Sequence, residues 1–462
     1  MSVTRLSSLR RMMPLAWPVL VGQLSVVAFA TIDTLLVARY SAIDLAALAV
    51  GGAAYITIFI GLMGVVMAVS PIAGQLFGAK KPLHAGQQLH QAAWLALALS
   101  AVGCLLLAFP APFMAMSQVS PEMEGKVRGY LGVLAYSLPA SLLFAAFRGF
   151  NTAVSRPKAV MALNLGGLAL KVPLSVVFLN GWAAVGVPAM GVQGCALATA
   201  VAMWSQLGVA LWLLRRDPFY RAFGLGQGGL QRPDGAALGQ LLRLGIPMGL
   251  GILIEVSAFS MMAIFIARLG TTQVAGHQIA VNLVSLMFML PMAMAQATST
   301  LVAQSVGARD LVAARRLGWH GLQWGLVVAT VLGVVVFFAR SAVVGWYTED
   351  TAVRAAALAL LAWLPLFHVA DAAQVMVSFA LRAWRVATLP MLIFAVCLWG
   401  VGLGGGFVVA FDVLGITPSF LRGAPGYWAA STLGLALAAM ALGVCMVWVV
   451  RKQAPEAAQP TV

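Results

Sequence analysis

The chain alternates between long apolar stretches and short polar segments that are rich in basic residues, glycine and proline. A helix rises about 1.5 Å per residue, so about 20 apolar residues cross a hydrocarbon core of about 30 Å. Twelve stretches reach that length, which predicts an all-α integral membrane protein with twelve transmembrane helices. The predicted spans are 12–37, 46–72, 88–110, 124–147, 158–180, 191–214, 239–266, 273–302, 317–339, 352–380, 386–411 and 427–450.

The two halves of the chain resemble each other. Sliding the second half over the first by 229 positions, without a gap, pairs Pro18 with Pro247, Gly22 with Gly251, Arg39 with Arg268, Gln75 with Gln304 and Gly78 with Gly307. We therefore predict two six-helix lobes, an N-terminal lobe over 1–214 and a C-terminal lobe over 238–462, joined by a cytoplasmic linker over 215–237. Because each half has an even number of spans, a pseudo-two-fold axis along the membrane normal would relate the lobes. Such repeats are typical of transporters that work by alternating access.

Composition supports a membrane location and bears on orientation. The 462 residues are 62% hydrophobic and only 9% charged, which excludes an ordinary soluble domain. The net charge of +15 could suggest nucleic acid, but the basic residues cluster in short segments between apolar stretches. If the N-terminus is cytoplasmic, 20 basic residues fall on the inner side and 7 on the outer side. Both termini are therefore predicted to be cytoplasmic, and no nucleic acid partner is expected.

The sequence shows no sign of an enzyme. It contains no P-loop and no HExxH motif, and its four cysteines lie in apolar stretches without the spacing of a metal site. ATP-driven transport and intramembrane proteolysis are therefore disfavoured. A passive channel stays open at this stage, because a channel and an exchanger differ in whether their flux is coupled to an ion gradient.

Four charged residues fall well inside the predicted spans: Asp33, Lys171, Glu255 and Asp371. A charge at mid-membrane depth costs several kcal/mol unless it is paired or neutralised, so such residues are functional candidates. Asp33 and Lys171 are an acid and a base of the first half, which can neutralise each other. We interpret them as a charge pair of the N-terminal lobe, with a structural role and a role in transport both open.

Glu255 and Asp371 are two acids of the second half, which has no base well inside its predicted spans. Two carboxylates that face one low-dielectric cavity cannot both stay ionised without a counter-ion. They are therefore predicted to share a proton or to bind a hard cation such as Na⁺. We predict a coupling-cation site for Na⁺ or H⁺ at Glu255 and Asp371, and no other cofactor. His368, one turn before Asp371, is more typical of a satisfied polar residue than of a proton carrier.

Three segments carry a family resemblance: PLAWPVLVGQLSVVAFATIDTLLVARYSAIDLAALAV, GIPMGLGILIEVSAFSMMAIFIARLGTTQVAGHQIAVN and SVGARDLVAARR. They resemble the multidrug and toxic compound extrusion (MATE) transporters, in their NorM-like branch, and the similarity covers nearly the whole chain. The resemblance implies export of cationic, amphipathic drugs in exchange for Na⁺ or H⁺. It also implies a multi-pass monomer of the bacterial inner membrane whose partners are small cationic drugs and membrane lipid.

The resemblance also implies roles for individual residues. Glu255 matches the family's helix-7 acid, Asp371 its helix-10 acid and Asp33 its helix-1 acid. Other candidates come from positions near bound drug and from an apolar surface rich in methionine and aromatic rings. The candidate substrate-binding residues are Gln278, Phe288, Phe259, Met287, Met292, Glu349 and Asp350.

The chain departs from the family's pattern on helix 5. Relatives carry asparagines there, facing the helix-1 acid, whereas this chain has Lys171 and Ser175. A lysine would occupy the place of a cation, which leaves Glu255 and Asp371 as the better candidates for ion binding. An alternative function, a flippase for a lipid-linked precursor, would need a cationic cavity. Three acids to one base at mid-membrane depth disfavour it.

Overall fold

The computed structural model describes residues 4–110, 121–182, 184, 186–226 and 229–453. Twelve helices in this part of the chain are long and apolar enough to cross a membrane, which confirms the predicted fold class. The α-helices are α1 Arg5–Tyr40, α2 Ala42–Val66, α3 Val69–Gly78, α4 Pro82–Ala108, α5 Pro121–Ala153, α6 Pro157–Asn180, α7 Val192–Arg216, α8 Gly235–Ala267, α9 Thr271–Gly307, α10 Leu311–Tyr347, α11 Thr351–Leu361, α12 Leu364–Ala383, α13 Thr388–Phe394, α14 Gly406–Ala410 and α15 Ala424–Gln453. The two ends of the chain, predicted to be cytoplasmic, lie outside the described residues.

The predicted span 352–380 is wrong in two respects. It consists of two helices, α11 and α12, because the helix is interrupted just before Pro365, which sits in the first turn of α12. The spanning helix α12 also continues to Ala383, so Arg382 lies inside it and not in the adjoining segment. A basic residue in the last turn of a helix is favoured by the helix dipole. Arg382 is therefore a base on the same spanning helix as Asp371.

Two further spans are not uniform α-helices. The second span runs over Ala42–Gly78 and is interrupted between α2 and α3 by a turn at Met67 and Ala68. The eleventh contains a π-helix, Ala395–Gly405, between α13 and α14. This π-helix packs closely on α15, where a Cβ on Gly434 would come within 2.6 Å of the Cys397 carbonyl oxygen. Glycine is required at that contact because no side chain fits between the two backbones.

The internal repeat is visible in the backbone of the short turns. Lys80 and Arg309, which are equivalent at the register of 229, have φ angles of 58° and 57°, each just after a helix that ends in glycine. Ser155 and Arg385, which follow α5 and α12, have φ angles of 61° and 58°. Residues other than glycine seldom adopt this left-handed conformation. The two halves of the chain therefore share turn geometry as well as sequence.

The contacts within the chain define two compact units. The first unit is Val21–Gly249, and the second unit is Met1–Leu20 together with Leu250–Val462. Their boundaries fall inside α1 and α8, so each of these helices contributes residues to both units. The predicted lobes, 1–214 and 238–462, are each continuous in sequence, unlike the second unit. They stay a prediction.

The described part of the linker packs on α4 in the first unit. The Gln91 side chain donates to the Arg232 carbonyl at 3.0 Å and accepts from the Asp234 backbone N–H at 2.9 Å. Trp94 Nε1 donates to the Gln231 carbonyl at 2.8 Å. A polar side chain of a spanning helix thus holds the segment that leads into α8.

Candidate functional site

Glu255 and Asp371 meet through the side chain of Gln374. Glu255 lies on α8, and Asp371 and Gln374 lie one turn apart on α12. Gln374 Nε2 donates to Glu255 Oε1 at 3.0 Å and to Asp371 Oδ1 at 3.1 Å. One amide NH₂ group therefore bridges the two carboxylates, which come from separate parts of the sequence.

The site is closed on the α12 side and partly open at α8. Asp371 is 5% exposed and Gln374 is 1% exposed, whereas Glu255 is partly exposed. The second amide atom of the bridge, Gln374 Oε1, is buried and has no hydrogen-bond partner among the described residues. Carboxylates removed from water are costly unless an opposite charge or a proton compensates them. The site can thus reduce its free energy by binding a cation or a proton.

Arg382 is a basic residue on the same helix as Asp371 and Gln374. It follows Gln374 by two turns of α12, and its guanidinium carbon lies 4.3 Å from the centre of the Phe379 ring. Neither Gln374 nor Arg382 was predicted from the sequence. The spacing of three residues from Asp371 was a usable signal for Gln374, since i and i+3 share a helix face. Arg382 was missed because the predicted span ended too early.

Two more buried polar groups lie on α12, within about two turns of Asp371. His368 is 0% exposed and Ser378 is 2% exposed. Within the described part of the chain, neither ring nitrogen of His368 has a hydrogen-bond partner, and the Ser378 hydroxyl has none either. His368, expected from the sequence to be a satisfied polar residue, thus has no hydrogen-bond partner among the described residues. On α12, His368 and Ser378 therefore have buried hydrogen-bonding atoms that the described residues leave unpaired.

An apolar pocket continues along α8 from Glu255. Helical spacing places Ala258 and Phe259 about one turn and Met262 two turns beyond the acid, on one helix face. These side chains line a small apolar hollow, and Leu398, Gly402, Leu403, Ser431 and Leu435 complete it. The Phe259 ring also packs against Phe367, with ring centres 6.0 Å apart. A carboxylate and an apolar, partly aromatic surface thus lie next to each other on α8.

The other substrate candidates are spread over the second unit. Met287 is buried in its core, and Phe288 and Met292 are partly buried. Gln278 and Glu349 are exposed. Asp350 caps α11, where its Oδ1 accepts from the backbone N–H groups of Ala352 and Val353 at 2.8 and 3.2 Å. Of the seven candidates, Phe259 is the one that lines the pocket beside Glu255.

Asp33 and Lys171 form a buried pair in the first unit. Lys171 Nζ lies 2.7 Å from Asp33 Oδ2 and donates to the Phe29 carbonyl at 3.2 Å. Ser175 Oγ donates to Asp33 Oδ1 at 3.4 Å. Asp33 is 6% exposed and Lys171 is 2% exposed. The acid of α1 therefore already has a positive charge and a hydroxyl as partners.

The donor set at Glu255 and Asp371 limits which ion it suits. In the part of the chain that the structure describes, no three His, Cys, Asp or Glu side chains lie close enough together to hold a metal ion. Transition metals prefer several nitrogen or sulfur ligands, whereas carboxylate and neutral oxygens suit hard ions. Two carboxylates that share one amide donor fit a single hard cation or a proton.

The chain is similar to known proteins over most of its length. The family model MatE matches residues 18–177 and 247–408, one stretch in each half of the chain. The chain is 40% identical over 438 residues to the probable multidrug resistance protein NorM of Aromatoleum aromaticum, covering 94% of this chain and 92% of that protein. It is 32% identical over 440 residues to the multidrug resistance protein PmpM of Pseudomonas aeruginosa, covering 94% and 90%.

Solved structures share the fold. The Vibrio cholerae MATE transporter VcmN in the bent form superposes with a TM-score of 0.86, at 17% sequence identity, over 98% of this chain and 99% of that one. The eukaryotic MATE transporter AtDTX14 gives a TM-score of 0.86, also at 17% identity, over the same shares of the two chains. At this identity the likeness is one of fold.

Proposed function

This chain belongs to the MatE family of multidrug efflux transporters and is not an enzyme, and we propose that it exports cationic, amphipathic compounds in exchange for Na⁺ or H⁺. Export proceeds by alternating access across the bacterial inner membrane, with both termini cytoplasmic and the monomer as the working unit. The observation that carries the proposal is the Gln374 amide that bridges Glu255 and Asp371.

The bridge supports ion binding because it brings two acids to one point. Neither carboxylate forms an ion pair with a basic side chain among the described residues, so their negative charge calls for a cation or a proton. A proton or a monovalent cation supplies the positive charge, and the carboxylates offer the oxygen ligands that it prefers. The coupling ion therefore enters at Glu255, which is the more exposed acid.

The pocket next to Glu255 supports an amphipathic cation as the exported compound. The positive end of such a compound is attracted to the carboxylate, and its apolar part fits against Phe259 and Met262. Glu255 and Phe259 lie about one helical turn apart on α8, a rise of about 5.4 Å along the helix, which suits a small organic cation. The ring adds a favourable cation–π contact.

Coupling follows if the drug and the ion favour opposite states of the transporter. A ligand shifts a conformational equilibrium only through different affinities for the two states. When the ion neutralises Glu255 and Asp371, the attraction for a cationic drug falls and α8 and α12 can repack. Arrival of the ion thus promotes release of the drug, and each ligand excludes the other from the same carboxylates.

Two alternatives are disfavoured. A lipid-linked precursor carries phosphate groups, which the two carboxylates of the site would repel. Asp33 does not serve as an ion site in this proposal, because Lys171 already supplies its counter-charge.

The test is efflux of a fluorescent organic cation from proteoliposomes under a Na⁺ gradient or a proton gradient, each imposed separately. One of the two gradients is expected to drive export. Equal export with and without both gradients would refute coupled exchange and favour a passive channel. Flipping of an anionic lipid without export of the cation would favour a flippase.

A further inference from the structure

Gln374 Nε2 occupies the point between the two carboxylates that a coupling cation would take. It lies 3.0 Å from Glu255 Oε1 and 3.1 Å from Asp371 Oδ1, so its NH₂ group presents a partial positive charge to both acids. We propose that Gln374 is a placeholder that competes with the coupling ion for Glu255 and Asp371, and so sets the ion concentration at which the site fills. This inference rests on the proposed function of the site.

The side chain is held in a way that lets it leave. Its Oε1 atom is buried without a partner in the described chain, so the two hydrogen bonds of Nε2 are its contacts with polar groups there. Turning the amide away from the acids therefore breaks no third hydrogen bond. An amide anchored through its oxygen as well would resist displacement, and the ion would have to break that bond too.

Ser378 offers the displaced amide a new partner. It lies four residues after Gln374 on α12, a spacing that places both side chains on one helix face. Its hydroxyl is buried and unpartnered among the described residues. A hydroxyl can donate to the amide oxygen or accept from the amide NH₂. The face of α12 thus carries both the position that the amide leaves and one to which it can move.

The direction of ion entry follows from exposure. Glu255 is partly exposed, whereas Asp371 and Gln374 are nearly fully buried. The ion therefore meets Glu255 first, displaces the amide from it, and then reaches Asp371. The neutral amide holds the two acids together in the ion-free state but does not cancel their negative charge. The site therefore still attracts a cation.

The experiment measures ion binding directly, through the thermal stability of the purified protein. Tm is followed against Na⁺ concentration at constant ionic strength, with K⁺ as the replacement, and separately against pH. Gln374→Met keeps the length of the side chain and removes both donors. The substitution removes the two hydrogen bonds from Gln374 to the carboxylates, which exist only in the ion-free state. That state loses stability relative to the ion-bound state, so the half-saturating ion concentration is expected to fall by about tenfold or more. The maximal stabilisation by the ion is expected to stay.

A matched control is Gln206→Met. Gln206 is a buried glutamine of the first unit whose amide atoms also lack partners among the described residues, so its replacement should leave the half-saturating concentration unchanged. If Gln374→Met does not fold, Gln374→Asn serves instead. It keeps an amide but is one methylene too short to bridge both acids, and it should also tighten ion binding.

Each outcome is decisive. An unchanged half-saturating concentration in the Gln374 variants overturns the placeholder. A raised concentration overturns it as well, because the amide would then be an ion ligand and not a competitor. The wild-type protein is measured first. If its Tm responds to neither Na⁺ nor pH, the proposed function itself is refuted.

Discussion

Lys171 Nζ donates to Asp33 Oδ2 at 2.7 Å, and both side chains are buried between α1 and α6. The ammonium also donates to the Phe29 carbonyl and lies 4.7 Å from the centre of the Phe29 ring. Ser175 supplies the second hydrogen bond to the carboxylate. The lysine thus acts as a tethered cation, and the acid of α1 needs no mobile ion to balance its charge.

Replacing one residue of this pair should leave the other charge buried and unpaired, whereas replacing both residues should leave no unpaired charge. Asp33→Asn or Lys171→Met strands one charge in a low dielectric, at a cost of about 3–5 kcal/mol, whereas the double variant strands none. The double variant should therefore be more stable than the sum of the two losses implies. The measurement is the free energy of unfolding, or Tm in detergent, for all four proteins. Simple additivity would mean that the two charges do not interact.

Charge removal at the two acids of the second unit should abolish coupled transport. Glu255→Gln and Asp371→Asn preserve size and hydrogen-bonding capacity but take away the charge that the coupling ion neutralises. Gradient-driven efflux of a cationic dye from proteoliposomes should fall to the background of empty vesicles, with Tm largely retained. Asp310→Asn is the matched control, because Asp310 caps α10 in the same unit and asparagine also caps helices. Ion-dependent efflux in the double variant Glu255→Gln, Asp371→Asn would refute the assignment.

The linker should loosen when its contact with α4 is removed. Gln91→Ala deletes the acceptor of the Asp234 N–H and the donor to the Arg232 carbonyl. Amide exchange at Asp234 should accelerate by up to about tenfold, as expected for one lost hydrogen bond. Tm should change little, because the freed linker groups are exposed to water. Hydrogen exchange followed by mass spectrometry measures this, and Gln87→Ala, an exposed position one turn earlier, is the control. Equal protection in both variants would show that Gln91 does not hold the linker.

Asp217 should contribute stability that disappears in acid. The backbone N–H of Phe219 and the Arg156 guanidinium, 2.5 Å from Asp217 Oδ2, hold the pKa of Asp217 below its ordinary value. A depressed folded-state pKa stabilises the protein above the unfolded pKa of about 3.9, and this stability is lost as the pH falls through the folded pKa. The Tm difference between wild type and Asp217→Asn should therefore be constant near neutral pH and shrink below about pH 4. A difference that grows on acidification would contradict this sign.

The orientation of the chain is open to a labelling test. Gly229→Cys lies in the segment predicted to be cytoplasmic, and Thr271→Cys lies at the exposed start of α9, predicted to be outside. A membrane-impermeant thiol reagent added to intact cells should label Thr271→Cys and should label Gly229→Cys only after lysis. The reverse pattern would place both termini on the outer side.

Hydropathy alone was enough to predict the twelve helices. Inside a bilayer every backbone N–H and C=O must be satisfied within the element, so a long apolar stretch has hardly any alternative to a helix. The same cost argument singled out Asp33, Lys171, Glu255 and Asp371, because a charge in such a stretch is expensive. It did not find the break before Pro365 or the end of α12 at Ala383, because hydropathy measures how apolar a stretch is and not where a helix begins or ends. Arg382 was therefore placed outside the span.

What the sequence by itself determined is which buried groups need a partner; the tertiary structure decided which partner each of them meets. Gln374 carries no charge and gave no signal of its own, yet it joins Glu255 to Asp371 because α8 and α12 bring distant segments together. In the same way, Lys171 was expected near Asp33 on charge alone, but the contributions of the Phe29 carbonyl and Ser175 depend on how α6 packs against α1. A charged residue in an apolar stretch can be recognised from the sequence as one that is costly to bury. The hydrogen bonds and charges that offset this cost come from atoms that only folding brings within reach.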